Sequence, residues 1–265
     1  MIPKKIHYCW FGGKPLPEDA KKYIESWKKY CPDYEIIEWN ERTFDVNSVP
    51  YVKEAIEARK WAFITDYVRL WAIYNYGGIY MDTDVEVLKP LDDFLKHPAF
   101  SGFESSSDIP TGIMAGEKGN HWFKLQLDYY TDRHFKQEDG SLDLTTNVVT
   151  ITNITKQNYQ IELNNTFQDI GDIVFYPSEW FCPKSHETGI ISCTDKTVVI
   201  HHFAGSWISD AHTKYLKVKY KLYKMYPEKI ANKIIWFPYG IYLIREHGIR
   251  YFFKRVLMKL GLLKK

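Results

Sequence analysis

Residues 77–90 read GGIYMDTDVEVLKP. A short apolar run leads straight into Asp82 and Asp84, one residue apart, and a second apolar run follows. Side chains of a half-buried strand alternate with period two, so both carboxylates point to the same face. Like charges on one face repel and raise each other's pKa unless a cation lies between them. The pair therefore sits either in a solvated turn or around a metal. Hard oxygen ligands at this spacing suit Mg²⁺ or Mn²⁺, which take one or two carboxylates together with substrate phosphates.

Upstream, ARKWAFITDYVRLWAIYNYGG reads as a helix from Arg59 to Tyr76, stopped by Gly77 and Gly78. Its apolar residues cover nearly every direction around the axis, and a helix apolar all round is buried. Yet Asp66 and Arg69 sit inside it, three apart and so on one face. Buried charges are costly unless paired or bound to something. Either they form an internal salt bridge, or they line a ligand pocket, Asp66 accepting hydroxyl protons and Arg69 meeting anionic oxygen. The helix runs through Gly-Gly into the carboxylate pair, which favours one pocket shared by all four charged residues.

Around this block, KKIHYCW, YEIIEW, DIVFYP and TVVIHHF read as strands, and EDAKKYIESWKKYC, HWFKLQLDYYTDR and DLTTNVVTITNITKQN as helices. The alternation predicts an α/β domain with a mostly parallel sheet and helices on both faces. In such sheets ligands bind outside the carboxyl ends of the strands. The loop from Trp10 onward, the Asp82–Asp84 turn and HHFAGSW (201–207) all follow predicted strands, so they are expected to converge. Adjacent strand residues point oppositely, so only one of His201 and His202 faces a metal. His202, at the strand's end, is the expected ligand, and an imidazole in the shell favours Mn²⁺.

The 265 residues suffice for one large domain, or one domain with an appendage. Four cysteines (Cys9, Cys31, Cys182, Cys193) show no C-x-x-C spacing and read as free thiols of a reducing cytoplasm. No signal-peptide pattern and no 18-residue apolar run is present, so neither that export route nor a membrane span is expected. The formal net charge of +2 hides an asymmetry. From Lys214 to Lys265, eleven Lys and three Arg face two Glu, a net +12, which leaves −10 on the first 213 residues. A basic, aromatic-rich helical extension (213–265) on an acidic domain (1–212) reads as two functional zones. The extension suits an anionic membrane interface, against helices that merely pack on the domain; no nucleic-acid partner is expected.

The blocks IPKKIHYCWFGG, ITDYVRLWAIYNYGGIYMDTDVEV and HHFAGSW together resemble glycosyltransferase family 32, the DxD sugar transferases of bacterial capsule clusters and fungal glycan synthesis. The spacing of Asp66, Arg69 and Asp-x-Asp is also similar to the glucosyltransferase domains of large clostridial toxins. The resemblance spans about the first 210 residues in three separated blocks. It implies a GT-A fold, a nucleotide-sugar donor with UDP as carrier, Mn²⁺ or Mg²⁺, and a retaining hexosyltransferase. By the same likeness, His7 and Trp10 belong to the nucleotide site, Trp10 stacking on the base. Asp66 and Arg69 contact the donor sugar, Asp84 ligates the metal with Asp82 in support, and His202 stands where the toxins carry a carboxylate. Ser206 and Trp207 meet the diphosphate. FESSSDIPTGIMAGEKGNHW (103–122) is expected as the wall for a glycan or lipid-linked glycan acceptor, with the protein cytoplasmic and peripheral on the inner membrane face. GIYMDTDV also fits the nucleophile motif of haloacid-dehalogenase phosphatases. That motif opens its domain, however, and leaves Asp66, Arg69 and HHFAGSW without a role. A non-catalytic sugar-nucleotide binder is the other alternative.

Overall fold

A computed structural model describes residues 1–205 and 208–259. The chain forms two compact units, Met1–Lys184 with Ser192–Phe203, and Ser185–Ile191 with the chain from Ala204 onward.

The first unit is built on β1 (Lys5–Cys9), α1 (Glu18–Tyr30), β2 (Glu35–Trp39), α2 (Pro50–Glu57), α3 (Trp61–Tyr76), β3 (Gly78–Met81), β4 (Val85–Val87), β5 (Ala99–Gly102) and β6 (Ile113–Gly116). It continues through α4 (His121–Asp128), α5 (Asn147–Asn158), β7 (Gln168–Asp169), β8 (Val174–Tyr176), α6 (Ser178–Phe181) and β9 (Val199–His201). Seven strands form one sheet in the order β2-β1-β3-β6-β5-β8-β7, and β4 pairs with β9 in a separate two-stranded ladder. The α/β class is as expected, and five of the seven strands of the large sheet run in one direction, with β6 and β7 reversed. β1 pairs parallel to β2 and β3, and β5 parallel to β8, whereas β6 runs antiparallel to both its neighbours and β7 to β8. The reason is local: β5 returns through the 103–112 loop directly into β6, with no crossover helix to restore the direction.

Apolar side chains cover both faces of the sheet. Val52, Ile64, Val68, Trp122 and Ile151 from α2 to α5 close one. Ile24 and Trp27 of α1, with Val85, Val87 and Val199 of the small ladder, close the other. The Trp27 indole N–H donates to the Val85 carbonyl at 2.7 Å and the Val87 N–H to Ser26 Oγ at 2.9 Å, fixing β4 against α1. The helix expected from Arg59 begins at Trp61, because Arg59 itself adopts φ +54°. It ends on Gly77 and Gly78, whose φ of +66° and +121° lie in the region that favours glycine.

The second unit carries α7 (Asp210–Met225), α8 (Glu228–Ile234), α9 (Trp236–His247) and α10 (Ile249–Lys259). Ser209 caps α7, its hydroxyl accepting from the His212 N–H, and Tyr215 stacks on Tyr242 with centroids 5.4 Å apart. Among the described residues no helix is long and apolar enough to cross a membrane.

Candidate active site

Sheet direction selects the site. β1 and β3 end at the same edge, and the antiparallel β6 begins there, so the Asp82 N–H donates to the Gly112 carbonyl at 2.9 Å. The Tyr80 hydroxyl donates to Asp82 Oδ1 at 2.7 Å, holding that carboxylate from within its own strand. Arg69, reaching from α3, lies 4.9 Å over the Tyr80 ring. Its Nη1 is 3.4 Å from Asp82 Oδ1 and its Nη2 3.3 Å from Asp66 Oδ1. Nη1–H also donates to the Thr111 carbonyl at 2.8 Å and Nε–H to that of Thr65 at 3.2 Å.

In this arrangement Asp66 and Arg69 form an internal ion pair that extends to Asp82. Arg69 is an internal cation whose N–H groups are largely taken by protein oxygens, with a side chain only 6% exposed. It joins Asp66 to the D-x-D pair rather than presenting an open guanidinium. Burial pushes the Asp66 carboxyl up to about 7 against the pull of Arg69. Asp82 is raised by burial too, with Arg69 drawing it back and Asp84 pushing it further up.

The imidazole facing this pair is His201, not the expected His202. His201 Nε2 lies 3.3 Å from Asp84 Oδ1 and 3.9 Å from Asp82 Oδ2. The antiparallel β4–β9 ladder causes the swap. Val85 pairs with His201, and the His202 N–H donates to the Asp84 carbonyl at 2.9 Å, so the rings project to opposite sides. His202 stacks on Tyr23 at 4.5 Å, and its Nε2 meets Glu86 Oε2 at 2.8 Å. Burial disfavours an imidazolium at His201, but the Asp84 charge and hydrogen bond hold its pKa well above the ordinary range.

Asp82, Asp84 and His201 each offer a ligand atom, all within 4.8 Å of one another. Two carboxylate oxygens and one imidazole nitrogen could supply a mixed oxygen and nitrogen shell to a divalent cation. His201→Ala should therefore weaken Mn²⁺ binding at least roughly tenfold, whereas His202→Ala should leave it near wild type. Calorimetric titration of Mn²⁺ decides this, and the opposite ranking would restore His202 as the ligand.

His7, expected at the nucleotide, is instead fully buried. Its Nε2–H donates to the Gly77 carbonyl at 2.8 Å and its Nδ1 accepts from the Trp39 indole at 3.2 Å, so both nitrogens are spent on the core. Trp10 is partly exposed beyond the end of β1, its indole N–H donating to the Lys14 carbonyl at 2.5 Å. Ser206 and Trp207 lie outside the described residues. The stretch expected as an acceptor wall is partly core, since Ile113–Gly116 is the buried strand β6.

Several contributors were not foreseen. Gly112 gives His201 its room, because a Cβ there would lie 2.6 Å from Nδ1. Tyr80 reads in sequence as one more apolar strand residue, and Thr111 acts through its carbonyl, which no side-chain pattern announces. Glu104, after β5, is raised by burial and lies in the field of His201, Asp108 and Asp82.

A mixed α/β sheet with a D-x-D turn at one edge, faced by an imidazole, is the arrangement that the resemblance to DxD sugar transferases implies. Residues 17–101 match the family model described as glycosyltransferase sugar-binding region containing DXD motif. It is 34% identical over 130 residues to inositol phosphoceramide mannosyltransferase 3 of Schizosaccharomyces pombe, covering 48% of this chain and 36% of that one. An uncharacterized glycosyltransferase of Acanthamoeba polyphaga mimivirus is 26% identical over 234 residues, covering 82% and 88%. The chain spans little more than a third of the length of the first curated mannosyltransferase relatives it matches. The solved PaToxG glycosyltransferase is similar at TM-score 0.46 and 20% identity, over 59% of this chain and 68% of that one.

Proposed function

We propose that the chain transfers a hexose from a nucleotide-sugar donor, with UDP as carrier, to a hydroxyl of a glycan or lipid-linked glycan, retaining the anomeric configuration. The observation that carries this reading is the convergence of Asp82, Asp84 and His201, with Arg69 tying Asp82 to Asp66. Asp82, Asp84 and His201 would hold Mn²⁺ or Mg²⁺. When bound, such an ion neutralises the diphosphate leaving group. Tyr80 and Arg69 orient Asp82 before substrate arrives, so no reorganisation is needed as charge develops. Asp66, paired with Arg69 and with its main-chain carbonyl accepting from Asn147 Nδ2–H at 3.0 Å, would accept hydrogen bonds from hydroxyls of the donor sugar. Trp10 offers its ring face to the base. Retention is taken from the family resemblance. The wider setting is capsule-type polysaccharide synthesis on the cytoplasmic side of a membrane, with an anionic membrane surface as partner of the C-terminal helices.

A panel of UDP- and GDP-sugars, including mannosyl donors because relatives bear that name, tests the reading through nucleotide release with Mn²⁺. Release from one donor, abolished by EDTA, is expected. Turnover of p-nitrophenyl phosphate with none of the sugar nucleotides would favour the phosphatase alternative.

A further inference from the structure

The helices of the second unit bury little. Ala231, Gly240 and Leu243 are the residues buried within α8 and α9, and none is buried in α7 or α10 among those described. Backbone hydrogen bonds Ile235 N–H to Ala231 O and Tyr239 N–H to Ile235 O carry the helical ladder across the α8–α9 junction. Over this run Ile230, Ile234, Phe237, Ile241 and Ile244 are all exposed, Phe237 by 77%. Their spacing of four, three, four and three places them in one stripe along one face.

Charge is segregated around that stripe. At 100° per residue, Lys229, Lys233 and Arg245 lie within roughly 100° of its centre, on both flanks. Glu228 and Glu246 lie roughly 160° away, on the opposite face. The next helix, α10, also exposes Ile249, Phe253 and Leu257 at four-residue spacing and carries Arg250, Lys254, Arg255 and Lys259 with no acidic residue.

Two occupants suit an apolar stripe of this spacing, and the flanks distinguish them. A second copy packed on the stripe would set basic flank against basic flank, since among the described residues of α8–α9 no carboxylate borders it to pair across a symmetric contact. An anionic lipid surface accepts both parts: apolar side chains enter the headgroup–acyl boundary while flanking Lys and Arg reach phosphate. We propose that the α8–α9 face, through Ile230, Ile234, Phe237, Ile241 and Ile244, docks on an anionic phospholipid bilayer. This rests on the membrane part of the reading above and is independent of the transfer chemistry.

Co-sedimentation of the full chain tests it, with vesicles of phosphatidylcholine alone and of phosphatidylcholine mixed with phosphatidylglycerol. The protein should pellet with the anionic vesicles only, and less as salt is raised. Phe237→Asp with Ile241→Asp, both at exposed positions that leave folding intact, should lower the partition coefficient by roughly tenfold or more. Asp84→Ala should pellet like wild type, so failure of the catalytic reading would leave this result standing. Absence of pelleting with anionic vesicles, or pelleting indifferent to the double substitution, overturns the proposal. So does a dimer in light scattering that the substitution dissociates, since a second copy would then cover the stripe.

Discussion

Asp84→Ala should lower turnover by at least roughly 10²-fold, the scale of losing one preorganised electrostatic contact in a transition state, with the fold intact. The structure explains why damage stays local. The Asp84 carbonyl, which accepts the His202 N–H, is untouched, so the β4–β9 ladder persists. Asp82 loses a like-charged neighbour, which relieves the repulsion that raises its pKa. His201 loses the carboxylate 3.3 Å away that favours its protonated form. What disappears is one of the two carboxylates able to grip a divalent cation. Nucleotide release and a melting curve, each with Mn²⁺ and with EDTA, measure both halves. Near-normal turnover of the variant, or wild-type turnover in EDTA, would remove the metal from the mechanism.

Arg69→Ala should damage stability as well as activity. Its guanidinium compensates two largely buried carboxylates and satisfies the Thr65 and Thr111 carbonyls. Breaking a buried ion pair from one side costs about 3–5 kcal/mol, because the partner charge stays behind. The loss should also depend on pH, and Asp66 sets the sign. Its folded pKa of about 7 stands above the ordinary 3.8, so its ionisation costs folded-state stability progressively as pH rises between those values. Without Arg69 the folded value climbs further, and the penalty keeps growing to higher pH. The gap in melting temperature between wild type and Arg69→Ala should therefore be wider at pH 8 than at pH 5. A gap that narrows with rising pH would show that Asp66 is not the charge being compensated.

Much of this was legible in the sequence. The all-round apolar helix, its Asp66–Arg69 pair, the Gly-Gly stop and the carboxylates on a strand end are local patterns, and each lies where periodicity puts it. The His201/His202 choice was not local. It depends on how β9 pairs with β4, and strand-end position alone selected the imidazole that faces away from the carboxylate pair. His7 failed for a related reason. β1 is central and buried along nearly its whole length, so alternation no longer separates a core face from a ligand face. The reversed direction of β6 was hidden because the 103–122 stretch looks polar and Gly-rich although it contains a central strand. Gly112 and Thr111 were invisible because they act through absence of a side chain and through a carbonyl.

The two-stranded β4–β9 ladder has one more consequence, for the order in which the molecule comes into being. It joins Val85–Val87 to Val199–His201, so the third candidate ligand atom arrives far along the chain from the first two. A chain emerging from the ribosome carries both carboxylates long before it carries His201, and until then they remain an acidic turn. Competence to grip a cation is thereby withheld from the nascent chain and from any truncated product ending before β9. Once the ladder closes, a cation held between its two halves would bind the folded chain and not the unfolded one, and would so act as a thermodynamic latch on the longest-range strand pairing of the first unit.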